Sequence, residues 1–453
     1  MFKPELLSPA GTLKNMRYAF AYGADAVYAG QPRYSLRVRN NDFKMENLAQ
    51  GINEAHELGK KLYVVSNIAP HNAKLKTYIK DMQPVVAMNP DALIMSDPGL
   101  IMMVREAFPD QEVHLSVQAN AINWATVKFW ESQGIKRVIL SRELSLDEIE
   151  EIRQRCPDIE LEVFVHGALC MAYSGRCLLS GYINKRDPNQ GTCTNACRWK
   201  YNVHEAQQTD SGDIVAIQPA MPTLGEGEPS QNTYLLQEAN RPGEYMPAFE
   251  DEHGTYIMNS KDLRAIQHIE RLTKMGVNSL KIEGRTKSFY YVARTAQIYR
   301  QAIDDAVSGR EFNPQLFTQL EGLAHRGYTE GFLRRHVHDE YQNYDYGYSI
   351  SDSQQFVGEL TGKRNAEGMA EIDVKNKFSI GDSVELMTPK GNMTFELTHL
   401  QNRKGENLEA GLGNGHIVYM PVSESMDIEH GILLRNLPTG QDTRNPHQTV
   451  DKA

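Results

Sequence analysis

The 453-residue chain has no run of 18 or more uncharged apolar residues, so no membrane-spanning helix is expected. Its first residues, Met1-Phe2-Lys3-Pro4-Glu5-Leu6-Leu7, lack the apolar stretch of a secretory leader, and a cytoplasmic location is the expectation. Cysteine is scarce. Five residues in an unsecreted chain do not make a disulfide framework. A basic excess is also missing: 48 Lys and Arg face 58 Asp and Glu, a formal net charge of −10. Bulk charge therefore cannot hold a polyanion, and any nucleic-acid contact must come from local basic patches. No G-x-G-x-x-G follows the first strand, which argues against a dinucleotide fold. There is no H-E-x-x-H helix and no G-x-S-x-G elbow, so neither a zinc-protease nor a serine-hydrolase signature is present. At 40% hydrophobic and 23% charged residues, the composition is that of an ordinary folded chain of two to four domains.

What the chain does contain is one unit repeated. Short β-branched or apolar runs at Glu5–Leu7, Ala26–Ala29, Leu62–Ser66, Ala92–Ser96, Val113–Val117, Arg137–Leu140, Glu162–Val165 and Ser279–Ile282 alternate with amphipathic stretches. Those stretches include Leu13–Tyr22, Met45–Leu58, Gly99–Ala107, Trp124–Gln133, Leu146–Arg155, Leu263–Met275 and Tyr291–Ala306. Eight such strands over about 300 residues predict an α/β chain with a (β/α)8 TIM-like barrel over residues 1–310. The pattern breaks once. About 90 residues, 167–260, intervene after strand seven, on the face where such barrels build their chemistry. Residues 311–350 read as a connection. Residues 351–440 read as a small antiparallel β-barrel, from short strands near Val357–Leu360, Met369–Val374, Ser383–Met387, Thr394–His399, Ile417–Met420 and Ile432–Arg435. Residues 441–453 read as a loose polar tail. From residue 351 onward there are 10 basic and 15 acidic residues, which is no basic RNA clamp.

Four of the five cysteines, Cys170, Cys177, Cys193 and Cys197, fall within 28 consecutive residues of the insertion, spaced C-x6-C-x15-C-x3-C. Four thiolates can close the shell of a four-iron cluster or of a tetrahedral zinc. The missing C-x-x-C knuckles favour iron–sulfur over structural zinc, and a group of buried free thiols is the bland alternative. His166 ends strand seven. It reads equally as an acid/base group beside the metal or as a packing histidine. Arg142 follows strand six, Lys281, Glu283 and Arg285 lie around the end of strand eight, and Asn259, Ser260 and Lys261 precede the next helix. Singly each suits a rim salt bridge. As a set on one face, Arg142, Lys261, Lys281 and Arg285 suit an anionic substrate, with His166 and Glu283 as candidate catalytic groups. Basic and aromatic residues interleave at Tyr182, Lys185, Arg186, Arg198, Trp199, Lys200 and Tyr201, and again at Arg33, Tyr34, Arg37 and Arg39. Such stretches suit unpaired bases and phosphates, or are solvated loop charge.

The run Glu162-Val-Phe-Val-His166-Gly167-Ala-Leu-Cys170, continuing through Tyr173-Ser174-Gly175-Arg176-Cys177-Leu-Leu-Ser180, resembles the signature of the collagenase-like peptidases, peptidase family U32. Glu5–Gly11, Ser141–Leu144, Asn259–Leu263 and Arg326–Phe332 resemble the same family, and the likeness spans nearly the whole chain. Members of that family include oxygen-independent hydroxylases that carry a four-iron, four-sulfur cluster and depend on prephenate. The resemblance implies an enzyme that hydroxylates the wobble uridine of tRNA to 5-hydroxyuridine, with Cys170, Cys177 and Cys193 as cluster ligands and Cys197 as the remaining candidate. Lys185, Arg186, Arg198, Trp199 and Lys200 would then meet the anticodon loop, whose bases leave their stack at low cost. A metal-dependent peptidase and a non-enzymatic RNA-binding iron–sulfur protein are the alternatives.

Overall fold

The computed structural model describes residues 2–36, 42–169, 206–208, 214–216, 234–237, 245–251, 254–256, 261–325, 327–334, 353–413, 415–437, 441–442 and 445–449. Its eight parallel strands are β1 (Glu5–Pro9), β2 (Ala26–Gly30), β3 (Lys61–Ser66), β4 (Ala92–Met95), β5 (Val113–Leu115), β6 (Arg137–Ile139), β7 (Glu160–Ala168) and β8 (Ser279–Ile282). Each pairs with the next, and β8 pairs with both β7 and β1, so the sheet closes. The eight strands read from the sequence are these eight.

Helices fill the crossovers: α1 (Leu13–Ala21), α2 (Met45–Glu57), α3 (Asn72–Ala87), α4 (Pro98–Ala107), α5 (Trp124–Ser132), α6 (Leu146–Arg155), α7 (Ile269–Lys274) and α8 (Phe289–Val307). Their starts are written locally. The Thr12, Asp97, Asn123 and Ser288 side chains each accept a backbone N–H of the first turn, and Ser145 with Glu148 forms a reciprocal capping box. The helix pattern at Leu263–Met275 is corrected. Asp262–Arg264 is a strand paired antiparallel to the upper part of β7, Ile266–His268 is a 3-10 turn, and only Ile269–Lys274 is α-helical. Backbone pairing with β7 takes the first residues out of the helix. No helix among the described residues is long and apolar enough to cross a membrane.

Within the insertion, Ala206–Gln208 pairs with Ile214–Ala216, and Tyr234–Gln237, Tyr245–Asp251 and Gly254–Tyr256 form a small antiparallel sheet. The stretch read as a connection holds a helix, α9 (Gln315–Glu321), and a short strand, Tyr328–Thr329, beside Asp262–Leu263. The stretch read as a loose tail contains a pairing of Gln441–Asp442 with Asn445–Thr449.

The C-terminal unit is an antiparallel sheet of six strands: β9 (Gln354–Arg364), β10 (Ala370–Val374), β11 (Ser383–Thr388), β12 (Gly391–Glu396), β13 (Ile417–Met420) and β14 (Ile432–Asn436). They run in the order β12-β11-β14-β9-β10-β13 around an apolar core that includes Val357, Ile372, Leu386 and Leu433. Alternation decides its docking. Leu386 turns to that core, while Met387 joins Ile432 and Leu434 in the barrel's own apolar cluster. Arg294 of α8 reaches Glu385 at 2.9 Å, and the Tyr22 hydroxyl shares its one proton between the carbonyls of His430 at 2.9 Å and Met387 at 3.1 Å.

Candidate functional site

Strand register sets which side chains enter the barrel. The lower half holds charge. Arg137 bonds Glu5 at 2.6 Å, Glu160 at 2.7 Å and Glu162 at 3.1 Å, and Lys281 bonds Glu162 at 2.7 Å. Glu162 has no exposed surface. Burial would raise its carboxyl, but Lys281 and Arg137 outweigh that and hold it at about 2. Lys281 is therefore not a ligand of the mouth. It lies two residues below Glu283, over the Tyr28 and Phe164 rings, with its ammonium committed to Glu162.

Above this layer the strand ends are linked by hydrogen bonds almost all the way round. Arg285 Nη1 donates to Ser35 Oγ at 2.8 Å, joining the segment after β8 to that after β2. Leu36 N–H donates to Asn67 Oδ1, and Asn67 Nδ2 in turn donates to Gln118 Oε1 and Ser116 Oγ, crossing from β3 to β5. Ser141 N–H donates to Ala121 O, Arg142 Nη1 to Ala168 O at 2.6 Å, and Glu283 N–H to His166 O at 2.8 Å. The Arg142 guanidinium also lies 4.1 Å over the Phe164 ring. Its Nε is buried without an acceptor among the described residues. A mouth held this way is preorganised, so bound groups meet fixed partners.

His166 is corrected. Alternation along β7 places Glu162 and Phe164 inside the barrel and would place His166 there too. A bulge intervenes: Phe164 pairs with Lys281, but His166 pairs with Ile282. That one-residue slip turns His166 to the helix side of the wall. Its ring sits among Tyr291, Tyr299 and Tyr328, with centroids 5.4–5.8 Å away, and is 1% exposed. Burial, reinforced by Arg264, depresses it to about 3, so it is neutral at neutral pH. It is a packing histidine.

Of the other sequence candidates, Arg142 follows β6, and Glu283 and Arg285 follow β8, at the same end of the barrel. Glu283 is 6% and Arg285 8% exposed. Lys261 lies where the insertion rejoins, beside the Asp262–Ala168 pair, with its side chain over Gly327. Of the basic–aromatic stretch after β2, Tyr34 is fully buried with its hydroxyl on Asp81, so its ring is not open to stack a base, while Arg33 pairs with the same carboxylate and stays exposed. Cys170, Cys177, Cys193 and Cys197 lie outside the described residues, as do Lys185, Arg186, Arg198, Trp199, Lys200, Arg37, Arg39, Asn259 and Ser260. Among the described residues no group of three or more His, Cys, Asp or Glu could hold a metal ion. The fifth cysteine, Cys156, is buried away from the mouth with its sulfur facing Trp124 O.

Sequence reasoning missed Ser35, Asn67, Ser116 and Gln118. The signal was there: polar residues directly follow the apolar runs of β3 and β5, in Ser66-Asn67 and Ser116-Val117-Gln118.

Comparison with known proteins agrees with this architecture. The family described as Peptidase family U32 matches residues 11–343, and its C-terminal domain matches residues 352–435. A protein of Escherichia coli named tRNA hydroxylation protein P is 71% identical, over 99% of this chain and 100% of its own length. Its namesake in Haemophilus influenzae is 69% identical, over 98% and 99%. A 23S rRNA 5-hydroxycytidine synthase of Escherichia coli is 28% identical, over 89% of this chain and 55% of its own.

Proposed function

The chain belongs to peptidase family U32, and on that premise we propose that it is a tRNA-modifying hydroxylase. The observation that carries this is the 71% identity, end to end, with a protein named for tRNA hydroxylation. An rRNA hydroxycytidine synthase among the relatives points the same way, to hydroxylation of an RNA base.

The finer reading is an oxygen-independent, prephenate-dependent conversion of the wobble uridine to 5-hydroxyuridine in the cytoplasm. Arg142 and Arg285 would receive the carboxylates of prephenate, with Lys261 beside them; their bonds to Ala168 O and Ser35 Oγ near the strand ends support that reading. Glu283, largely buried just after β8, would hold or move a proton there. Lys185, Arg186, Arg198, Trp199 and Lys200 would track phosphates and stack the flipped base.

Four thiolates are a complete donor set for a four-iron, four-sulfur cluster, and β7 runs directly into the first of them. Cys170, Cys177, Cys193 and Cys197 would hold that cluster, which supplies redox capacity when bound. Zinc is the alternative for the same donors. The peptidase reading implied by the family's name has no hydrolytic motif in this sequence to support it.

Nucleoside mass spectrometry tests the proposal. tRNA from a deletion strain, with any oxygen-dependent route blocked, should lack 5-hydroxyuridine and regain it with the wild-type gene but not with Cys170→Ala. Normal hydroxyuridine in the deletion strain would overturn the assignment. Brown anaerobically purified protein that turns colourless in Cys170→Ala supports iron–sulfur; a colourless wild type overturns it.

A further inference from the structure

The amide groups on the β3–β5 side of the mouth have a determined orientation. Leu36 N–H is a donor and can only meet the oxygen of the Asn67 carboxamide. The Asn67 nitrogen is thereby directed at Gln118, and must meet an oxygen there. Ser116 Oγ lies 2.6 Å from the same Gln118 oxygen and donates to it. The carbonyl of Gln118 thus faces two donors, and its amide nitrogen is turned away from that pair. That nitrogen has no hydrogen-bond partner among the described residues, and Gln118 is partly exposed at the mouth. A chain of bonds starting at one backbone N–H therefore presents two N–H donors to whatever enters.

The next strand end brings Arg142, linked through the Ser141 N–H to Ala121 O bond, with Nη1 held on Ala168 O and Nε lacking an acceptor among the described residues. Both groups offer only donors. Such a wall selects a ligand rich in acceptors and rejects one that presents N–H groups.

We propose that Gln118 is a substrate contact whose carboxamide nitrogen, aimed by Asn67 and Ser116, donates to a carboxylate or ketone oxygen of a small dicarboxylate held beside Arg142. Asn67 is its positioning residue. This rests on the reading of prephenate as co-substrate and assigns part of its recognition to neutral donors as well as to the arginines.

Gln118→Glu is the discriminating variant, because it keeps the oxygen that Ser116 and Asn67 bond and replaces only the amide nitrogen. Isothermal titration of the anaerobically purified full chain with prephenate should show binding weakened about tenfold or more. The thermal midpoint and the affinity for tRNA should be unchanged, and hydroxyuridine formation should recover at saturating prephenate, a KM effect. Asn67→Asp keeps the bond from Leu36 N–H but loses the donor to Gln118. It should weaken prephenate binding by a smaller factor. Equal prephenate affinity in wild type and Gln118→Glu overturns this assignment while leaving the hydroxylase reading in place. A wild type that modifies tRNA yet binds no prephenate overturns the co-substrate reading, and this inference with it.

Discussion

His166 Nδ1 lies 3.2 Å from the Tyr299 hydroxyl, on the outside of the barrel wall. Tyr299 spends its single proton on Val165 O at 2.8 Å, so it can only accept from the histidine. The ring is therefore held as the neutral Nδ1–H tautomer, bridging α8 to the bulge that leads into the cysteine segment.

A pH dependence follows. The folded His166 sits at about 3 against about 6.5 in the unfolded chain, so unfolding takes up a proton between those values. The stability this group contributes is complete above about pH 6.5 and is lost as pH falls toward 3, by up to about 1.4 kcal/mol per pH unit. His166→Phe should flatten the slope of urea-unfolding free energy between pH 7 and 5 by up to one proton. An unchanged slope would show that the ring titrates normally.

The buried Lys281–Glu162 pair makes a second prediction. Removing Lys281 leaves the fully buried Glu162 with Arg137 as its remaining cation, so Lys281→Met should cost up to about 3 kcal/mol in denaturant unfolding. The double variant Lys281→Met, Glu162→Leu should recover part of that loss. Because the folded Glu162 carboxyl lies at about 2, its stabilisation is present above about pH 5 and lost as pH falls through 2. If Lys281→Met unfolds like the wild type, the pair is not buried as described.

Gly167 tests how closely β7 and β8 approach at the mouth. Its φ is +108°, and a Cβ there would come within 2.6 Å of Glu283 O. Gly167→Ala should cost more than about 2 kcal/mol and depress hydroxyuridine formation, because relief requires moving Glu283 or the chain entering Cys170. Calorimetry and nucleoside analysis read the two effects separately.

The domain interface depends on Arg294, which is 1% exposed, meeting Glu385 at 2.9 Å, with Gln354 and Asn392 bonding the same carboxylate. Glu385→Ala leaves a buried guanidinium without its partner. It should lower stability by about 3 kcal/mol or more and split one thermal transition into two as the C-terminal sheet releases from α8. A single, unshifted transition would count against the docking.

Much of this protein is set by local sequence. Strand and helix alternation, capping residues such as Ser145 with Glu148, and the single long interruption after β7 are short-range properties, legible because period and capping chemistry act over a few residues. The positions of Arg142 after β6 and of Arg285 after β8 were legible for the same reason: residue type and nearness to a strand end are enough to nominate them. Side-chain destination is different. A bulge between Phe164 and His166 moved a candidate catalytic histidine out of the barrel, and Glu162, remote in sequence, took Lys281 from the mouth. Asn67 and Gln118, 51 residues apart, became one oriented donor relay only when β3 and β5 were rolled into a closed sheet. Pairing register and barrel closure are long-range constraints, and no local pattern encodes which face a residue will take once they are imposed.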